Sequence, residues 1–262
     1  MTYSTLMLER DGGVAVLTLN RPGAANTIDK AMAQEFMIAA IECDDDPAIR
    51  AVVITGAGSV FCLGGDLKSF ANAGESLKSG LKEITAYLHA GISRLTRMDA
   101  PVIAAVNGTA AGAGFSLAAA ADITIAADTA SFVMAYTNAG LAPDGSSTYF
   151  LPRRIGDRRA RELMLTNRML TAPEALAWGV VNQVVPAADL MKIALAQAHQ
   201  FAVGPTRAFG AVKMLLNGSF DNGLETQMEL EARAIADMSA THDGQEGIMA
   251  FAAKRKPVFR GD

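Results

Sequence analysis

The sequence predicts an α/β protein, and the evidence is its short apolar runs and the stretches between them. Four runs rich in β-branched residues occupy positions 14–19, 51–55, 101–106 and 122–127. They are continuously apolar rather than alternating, which is typical of parallel strands covered on both faces. The stretches that separate them are long enough for helices. We therefore expect a parallel sheet whose strands alternate with helices.

The chain changes character at about residue 186, beyond which only helices are predicted. Five residues, four of them apolar, follow helical spacing from Asp221 to Ser239, and Asp221 is the expected N-cap of that helix. The residues at this spacing are Leu224, Met228, Glu231, Ile235 and Met238.

This change divides the chain into two parts. We expect a core at residues 1–200 and a helical region at residues 201–262. A region of roughly 60 residues buries little apolar surface by itself, so its apolar stripe needs cover from the core or from a neighbouring subunit. Oligomerisation is expected.

Composition and charge exclude several classes of protein. Of the 262 residues, 50% are hydrophobic and 19% are charged, which excludes a disordered chain. No apolar run approaches the ~18 residues of a membrane span, and the first ten residues lack the basic and apolar regions of a secretion signal. The net charge is −4 with scattered cations, so we expect a cytoplasmic protein without a nucleic-acid or membrane partner.

Potential metal ligands are isolated along the chain. Cys43 and Cys62 lie apart, and His89, His199 and His242 have no second histidine or cysteine at the i+3 or i+4 position. Zinc sites built on one helix need that spacing. No metal site is expected.

Two glycine-rich loops, at 55–70 and 107–122, each follow a predicted strand. Phe61 in the first loop and Leu117 in the second stand where a dinucleotide fingerprint requires its last glycine, and neither loop carries the Gly-Lys-Ser/Thr of a P-loop. We therefore expect no nucleotide cofactor.

Ser116 suggests one enzyme class. The stretch GFSLA at 114–118 is close to the G-x-S-x-G nucleophile elbow, and Asp144 with His199 or His242 would complete the chain order of a serine hydrolase. Against this hypothesis, no HGGG-type oxyanion motif is present, and both histidines lie in predicted helices. Alternatively, Ser116 is a small residue at a tightly packed helix start.

The small residues of the two loops suggest another use. Glycine and alanine allow the backbone to approach a ligand, and N–H groups at a helix N-terminus stabilise a developing oxyanion. Each loop ends a strand and opens a helix, so each can supply one donor. This arrangement suits a carbonyl group or a thioester that becomes an enolate.

Several blocks of the sequence resemble the crotonase (enoyl-CoA hydratase/isomerase) superfamily. AVVITGAGSVFCLGGDLKSF is similar to its F-C-x-G-x-D-L signature, and APVIAAVNGTAAGAGFSLAAAADITIAA is similar to its second glycine loop and helix. The closing AFAAKRKPVF also resembles that family, so the resemblance extends from LNRP at 19–22 to Phe259. It implies a spiral of ββα units with a C-terminal helical region, a trimer or a dimer of trimers, and acyl-CoA thioester substrates.

The resemblance also implies roles for particular residues. The thioester oxygen would lie between the backbone N–H groups of Gly65 and Ala113, because that chemistry uses the amide and not the side chain. Leu63 would lie along the adenine of coenzyme A, and Lys68 would lie near its phosphates, unless Lys68 is only a solvated helix residue. The remaining residues expected to bind the substrate are Gly64, Asp66, Gly112, Ser116 and Tyr136.

The chain departs from the hydratases at two positions. Hydratases of the superfamily place glutamates where this chain has Ser116 and Tyr136, and neither hydroxyl is basic enough at neutral pH to replace a carboxylate. Asp144, in the setting GLAPDG, resembles the catalytic aspartate of the subgroup that includes 1,2-epoxyphenylacetyl-CoA isomerase. A single acid suffices there, although Ser146 and Ser147 replace a frequent Gly-Gly pair.

The sequence therefore favours an acyl-CoA isomerase in which Asp144 moves the proton and Gly65 and Ala113 bind the oxyanion. No cofactor is expected, since coenzyme A enters as part of the substrate. Three alternatives remain open: an enoyl-CoA hydratase, a serine hydrolase that uses Ser116, and a catalytically weak acyl-CoA binding protein in which Asp144 is only a turn residue.

Overall fold

The computed structural model describes residues 3–262, in which the strands form two sheets. The strands are β1 (Leu6–Asp11), β2 (Val14–Leu19), β3 (Ala51–Gly56), β4 (Val60–Cys62), β5 (Val102–Val106), β6 (Thr109–Ala111), β7 (Ile123–Ala127), β8 (Ser131–Val133), β9 (Leu170–Thr171) and β10 (Gln183–Val185). The larger sheet has the order β1-β2-β3-β5-β7-β10, and the smaller has the order β4-β6-β8-β9.

Helices cover the sheets and form the C-terminal part of the chain. They are α1 (Lys30–Asp45), α2 (Leu67–Ala71), α3 (Leu77–Arg97), α4 (Ala113–Ala120), α5 (Ser147–Ile155), α6 (Asp157–Thr166), α7 (Ala172–Trp178), α8 (Leu190–Ala202), α9 (Thr206–Gly218), α10 (Leu224–Ser239) and α11 (His242–Ala252). None of the helices within residues 3–262 is long and apolar enough to cross a membrane.

The repeating unit is a strand of the larger sheet, a short strand of the smaller sheet and a helix. β3, β5 and β7 pair in parallel, and so do β4, β6 and β8. Close backbone contacts permit this stacking: a Cβ on Gly56 would lie 2.4 Å from the carbonyl oxygen of Val60, and one on Gly108 would lie 2.0 Å from that of Ser59. The α/β class and the spiral of ββα units are confirmed.

The four predicted strands are all present as β2, β3, β5 and β7, within one or two residues of their expected ends. They are buried almost throughout, which explains their continuous apolar runs. The antiparallel edge strand β1 and the two- or three-residue strands of the smaller sheet were not predicted, because such short segments carry no periodicity.

The C-terminal part is helical from residue 190 onward, as expected, but its details differ from the prediction. The expected N-cap, Asp221, is wrong: α10 begins at Leu224 with Gly223 as its N-cap, and the carboxylate of Asp221 faces Arg153 at 3.7 Å. The expected boundary at residue 200 lies inside α8, which contacts four strands of the larger sheet.

Within residues 3–262, most of the apolar stripe of the helical region is exposed. Leu224, Met228 and Ile235 of α10 are 69%, 56% and 74% exposed, and Phe251 of α11 is 87% exposed. We call these four residues the C-terminal apolar face. Single exposed apolar residues are common, but a set on adjoining helices indicates a contact surface.

Candidate active site

The two glycine loops lie side by side because the strands before them pair in parallel. β4 ends at Cys62 and β6 ends at Ala111, and these strands are neighbours in the smaller sheet. Gly64 has φ +86°, and a Cβ there would lie 2.9 Å from the carbonyl oxygen of Ala111 and 3.2 Å from the nitrogen of Ala113. The contact leaves no room for a side chain, so glycine is required at position 64.

Two backbone N–H groups at this contact are free to bind a ligand. Ile28 hydrogen-bonds to the residues on either side of Gly65. Its N–H donates to the carbonyl oxygen of Gly64, and its carbonyl oxygen accepts from the N–H of Asp66. Ala113 is the first residue of α4, where an N–H has no intrahelical acceptor and the helix dipole favours negative charge. Within residues 3–262, neither the N–H of Gly65 nor that of Ala113 donates to a protein atom.

These residues line a cavity of about 300 Å³, which we call the apolar cavity. Its walls come from the glycine loops, from α3 and from the segment before α5. They consist of Ile28, Leu63, Gly65, Leu67, Phe70, Leu81, Ile84, Thr85, Leu88, Gly112, Ala113, Ala135, Tyr136, Ala139, Leu141, Ala142 and Asp144. Among the described residues of that wall, Asp144 is the single carboxylate.

Asp144 is held by a tyrosine and a serine. The hydroxyl of Tyr136 donates to Oδ1 of Asp144 at 2.6 Å, and Oγ of Ser116 lies 3.1 Å from the same tyrosine oxygen. Burial, together with the nearby charge of Asp144, raises the pKa of Tyr136 well above its ordinary value. Tyr136 is therefore a neutral donor, and its hydrogen bond occupies Oδ1 of Asp144 rather than Oδ2.

The backbone of Asp144 also forms a turn. Its carbonyl oxygen accepts from the N–H of Ser147 at 3.3 Å and from the Ser147 hydroxyl at 3.0 Å. Gly145 has φ +60°, and a Cβ on it would lie 2.9 Å from the Cβ of Ser116. The backbone of Asp144 thus starts a turn, and the residue also lines the apolar cavity.

His89 is an ionisable neighbour of Asp144 that was not predicted as a site residue from the sequence. It lies on α3, and its Nε2 is 3.5 Å from Oδ2 of Asp144. The N–H of Gly145 donates to the same Nε2 at 3.2 Å. No local motif marks this histidine, because the fold brings it to Asp144 from a distant part of the chain.

A second cavity lies on the other side of Asp144 and His89. It has a volume of about 910 Å³, and we call it the polar cavity because many of its walls are polar side chains. The polar residues are His89, Ser93, Thr96, Arg97, Asp144, Ser146, Thr148, Tyr149, Asn217 and Asp221. Asp144 lines both cavities and stands between them.

The other residues expected to bind the substrate occupy different surroundings. Leu63 lines the apolar cavity and is 40% exposed. Asp66 caps α2 and faces Arg21 at 3.1 Å; burial alone would raise its pKa, but the N–H of Ser69 and the guanidinium of Arg21 lower it. Lys68 is exposed on α2 and lies outside the apolar cavity wall.

The serine hydrolase arrangement does not form. Ser116 is fully buried, and its hydroxyl bonds to Tyr136 and to the carbonyl oxygen of Gly112 at 3.2 Å. His199 faces Asp11, and His242 faces Asp243. In the part of the chain that the structure describes, no histidine hydrogen-bonds Ser116, so a triad around it lacks its base.

One group of potential metal ligands is present within residues 3–262, at His242, Asp243 and Asp262. Both carboxylate oxygens of Asp243 already accept backbone N–H groups, from Arg260 and Gly261 at 2.7 Å. This group ties the C-terminus to α11 and does not line either cavity.

A spiral of ββα units with two free N–H groups beside an apolar cavity defines a crotonase-type protein. Residues 9–262 match the family model described as enoyl-CoA hydratase/isomerase, and the chain belongs to that family. The resemblance stated from the sequence is confirmed.

Similar proteins carry different activities in their names. The chain is 40% identical over 261 residues to a probable enoyl-CoA hydratase of Rhodobacter capsulatus, with full coverage of both chains. It is 40% identical over 253 residues to the 1,2-epoxyphenylacetyl-CoA isomerase of Escherichia coli K12, with 95% of each chain covered. The crystal structure of an enoyl-CoA hydratase from Polaromonas sp. JS666 superposes with a TM-score of 0.93 at 35% identity, covering 97% of this chain and 99% of that one.

Proposed function

We propose that the protein is an acyl-CoA isomerase in which Asp144 alone moves a proton between carbon atoms. The observation that carries this proposal is the composition of the apolar cavity, whose wall holds one carboxylate. A carboxylate beside an acyl chain takes a proton from one carbon and returns it to another, so no second acid is needed.

The N–H groups of Gly65 and Ala113 supply the other half of the reaction. They would donate to the thioester oxygen, on which negative charge develops when the α-carbon loses its proton. Asp144 accepts that proton, the electron pair moves into the thioester as an enolate, and the protonated Asp144 then delivers the proton to the new position. Each oxyanion donor of this kind contributes about 10²–10³ to kcat.

The hydroxyls at positions 116 and 136 argue against a two-carboxylate hydratase. Tyr136 donates its proton to Asp144, and burial raises its pKa further from neutrality. Ser116 is fully buried behind that tyrosine. Neither can act as the base that activates water at neutral pH.

A hydratase remains the second candidate because of one specific contact. His89 lies 3.5 Å from Asp144 and faces the polar cavity, where an imidazole can activate a water molecule. The R. capsulatus relative is named as a probable hydratase. In that case, His89 and Asp144 would form the acid–base pair in place of the two glutamates.

A panel of thioesters separates these activities. Hex-3-enoyl-CoA, crotonyl-CoA and 1,2-epoxyphenylacetyl-CoA are incubated with the enzyme, and the products are resolved by chromatography and mass spectrometry. We expect isomers of unchanged mass from the first or the third ester. Products heavier by one water would establish hydration instead, and binding without turnover of any ester would leave an acyl-CoA binding protein.

We also propose how coenzyme A binds, how the subunits associate and where the enzyme acts. Coenzyme A would extend from the apolar cavity past Leu63, with Lys68 near its phosphates, and no separate cofactor would take part. The exposed C-terminal apolar face supports a homotrimer or a hexamer, because association would bury it. We propose a cytoplasmic enzyme.

A further inference from the structure

We propose that His89 is a proton relay that connects Asp144 with solvent in the polar cavity. This inference deepens the proposed isomerase activity and rests on it. The relay predicts that the proton removed from the substrate is exchanged for a solvent proton during turnover.

The hydrogen bond from Gly145 determines which nitrogen of His89 can accept a proton. The N–H of Gly145 donates to Nε2 at 3.2 Å, so Nε2 carries a lone pair and the proton of the neutral ring is on Nδ1. The same Nε2 faces Oδ2 of Asp144 at 3.5 Å. The basic nitrogen of His89 and the basic oxygen of Asp144 therefore face each other.

The two oxygens of Asp144 have different neighbours. Oδ1 accepts the short hydrogen bond from Tyr136, whereas Oδ2 has only His89 beside it among these groups. A proton taken from the substrate therefore belongs on Oδ2. When Oδ2 and Nε2 are both unprotonated, this contact holds no proton; once Oδ2 is protonated, its O–H has an acceptor.

The relay moves the substrate proton to water and a solvent proton back to the enolate. Asp144 removes a proton from the substrate carbon, and the C–H electron pair becomes the enolate. The O–H of Asp144 passes its proton to Nε2 of His89, which restores the carboxylate and gives an imidazolium. Nε2 releases this proton to water in the polar cavity and takes a solvent proton in its place, while Nδ1 keeps its own proton. Nε2–H then returns the solvent proton to Asp144, and Asp144 protonates the enolate at its new carbon.

The surroundings of His89 support transfer to water. Its side chain is 49% exposed, compared with 27% for Asp144, and it lines the polar cavity but not the apolar cavity. Once Nε2 is protonated, it can no longer accept from the N–H of Gly145, and it donates a charge-assisted hydrogen bond to Asp144 instead. The competing route is direct exchange of the Asp144 proton with water, because Asp144 also lines the polar cavity.

The test compares His89→Gln with wild type in D2O. Glutamine keeps an oxygen that accepts the Gly145 N–H but cannot relay a proton. We expect the deuterium incorporated per isomerised hex-3-enoyl-CoA to fall about tenfold or more, while isomerisation falls less. A merely structural role would displace Asp144 and lower both rates in proportion. His199→Gln, on α8 beside Asp11, is the matched control and should leave both rates unchanged.

A second substrate separates this inference from the proposed function. Phenylacetyl-CoA has acidic α-protons but no double bond to move along a chain, so its α-deuteration in D2O, followed by NMR, requires only enolate formation and exchange. We expect His89→Gln to slow that exchange about tenfold or more while its affinity for the thioester, measured by calorimetry, stays the same.

Two results would overturn the relay while leaving the isomerase intact: unchanged deuterium incorporation per turnover in His89→Gln, or isomerisation by wild type without incorporation. If wild type exchanges phenylacetyl-CoA but isomerises no ester, the isomerase proposal fails and the exchange rates alone decide the relay. Absence of both exchange and isomerisation with every thioester would overturn both.

Discussion

Gly64→Ala is the sharpest test of the proposed oxyanion site, because the structure sets the size of the disturbance. A Cβ at position 64 would lie 2.9 Å from the carbonyl oxygen of Ala111 and 3.2 Å from the nitrogen of Ala113. Contacts of this kind are ordinarily about 3.5 Å or longer, so one loop must move by roughly half an ångström. Both atoms are backbone, and no flexible side chain can absorb the shift.

The expected loss of activity follows from that displacement. A misplacement of about 1 Å costs roughly 10²-fold in rate, and complete loss of one oxyanion donor costs about 10²–10³. We therefore expect kcat to fall about 10²-fold. The variant also loses stability, because a side chain at φ +86° costs about 1–2 kcal/mol.

Gly179→Ala is the matched control for backbone strain. Gly179 has φ +82° at the end of α7, and its Cβ would meet nothing closer than 3.6 Å. Turnover of the best ester of the panel is measured together with thermal unfolding. We expect both variants to lose stability and only Gly64→Ala to lose kcat per folded molecule. A folded Gly64→Ala with wild-type kcat, or an equal loss of kcat in both variants, would refute the reasoning.

Three further predictions concern the serine, the N-terminal edge and the assembly. Ser116→Ala should keep kcat within about tenfold of wild type, the effect of one hydrogen bond, whereas a serine-directed phosphonate that stops activity by labelling Ser116 would contradict this. Burial alone would raise the pKa of Glu35, but hydrogen bonds from Thr5 and Ser4 lower it from 4.5 to about 2. Its ionised form therefore stabilises the fold above about pH 4.5, and the stabilisation is lost as pH falls towards 2. Glu35→Gln should lower Tm at pH 7 and not at pH 2. An equal loss of Tm at both pH values would disprove the stabilising role of the Glu35 carboxylate. Light scattering at micromolar concentration should show a trimer or hexamer, and a monomer would count against the C-terminal apolar face as an interface.

Burial explains which parts of the fold could be predicted from the sequence. β2, β3, β5 and β7 are buried almost throughout, so their apolar runs are unambiguous. The strands of the smaller sheet have two or three residues each, and pairing with neighbours, rather than any pattern of their own, makes them strands. The N-cap of α10 was misplaced because aspartate is common in turns as well as at helix starts.

The site was predictable only where its residues lie in recognisable local segments. The glycine loops and Asp144 stand in such segments, and the structure brings them to one cavity. His89 stands on an amphipathic helix with no local signal, and it reaches Asp144 only through the packing of α3 against the segment before α5. The pairing of Tyr136 with Ser116 likewise depends on the fold, although both positions were noted from the sequence.

Asp144→Asn, measured by isomerisation and by α-proton exchange of thioesters, tests the central claim most directly. Asparagine keeps the size and turn-forming ability of the residue but cannot move a proton. We expect a folded protein with unchanged affinity for coenzyme A thioesters and a loss of about 10²-fold or more in both reactions, the range typical of a general acid–base residue. Turnover close to the wild-type rate would show that Asp144 is only a turn residue and that another group moves the proton.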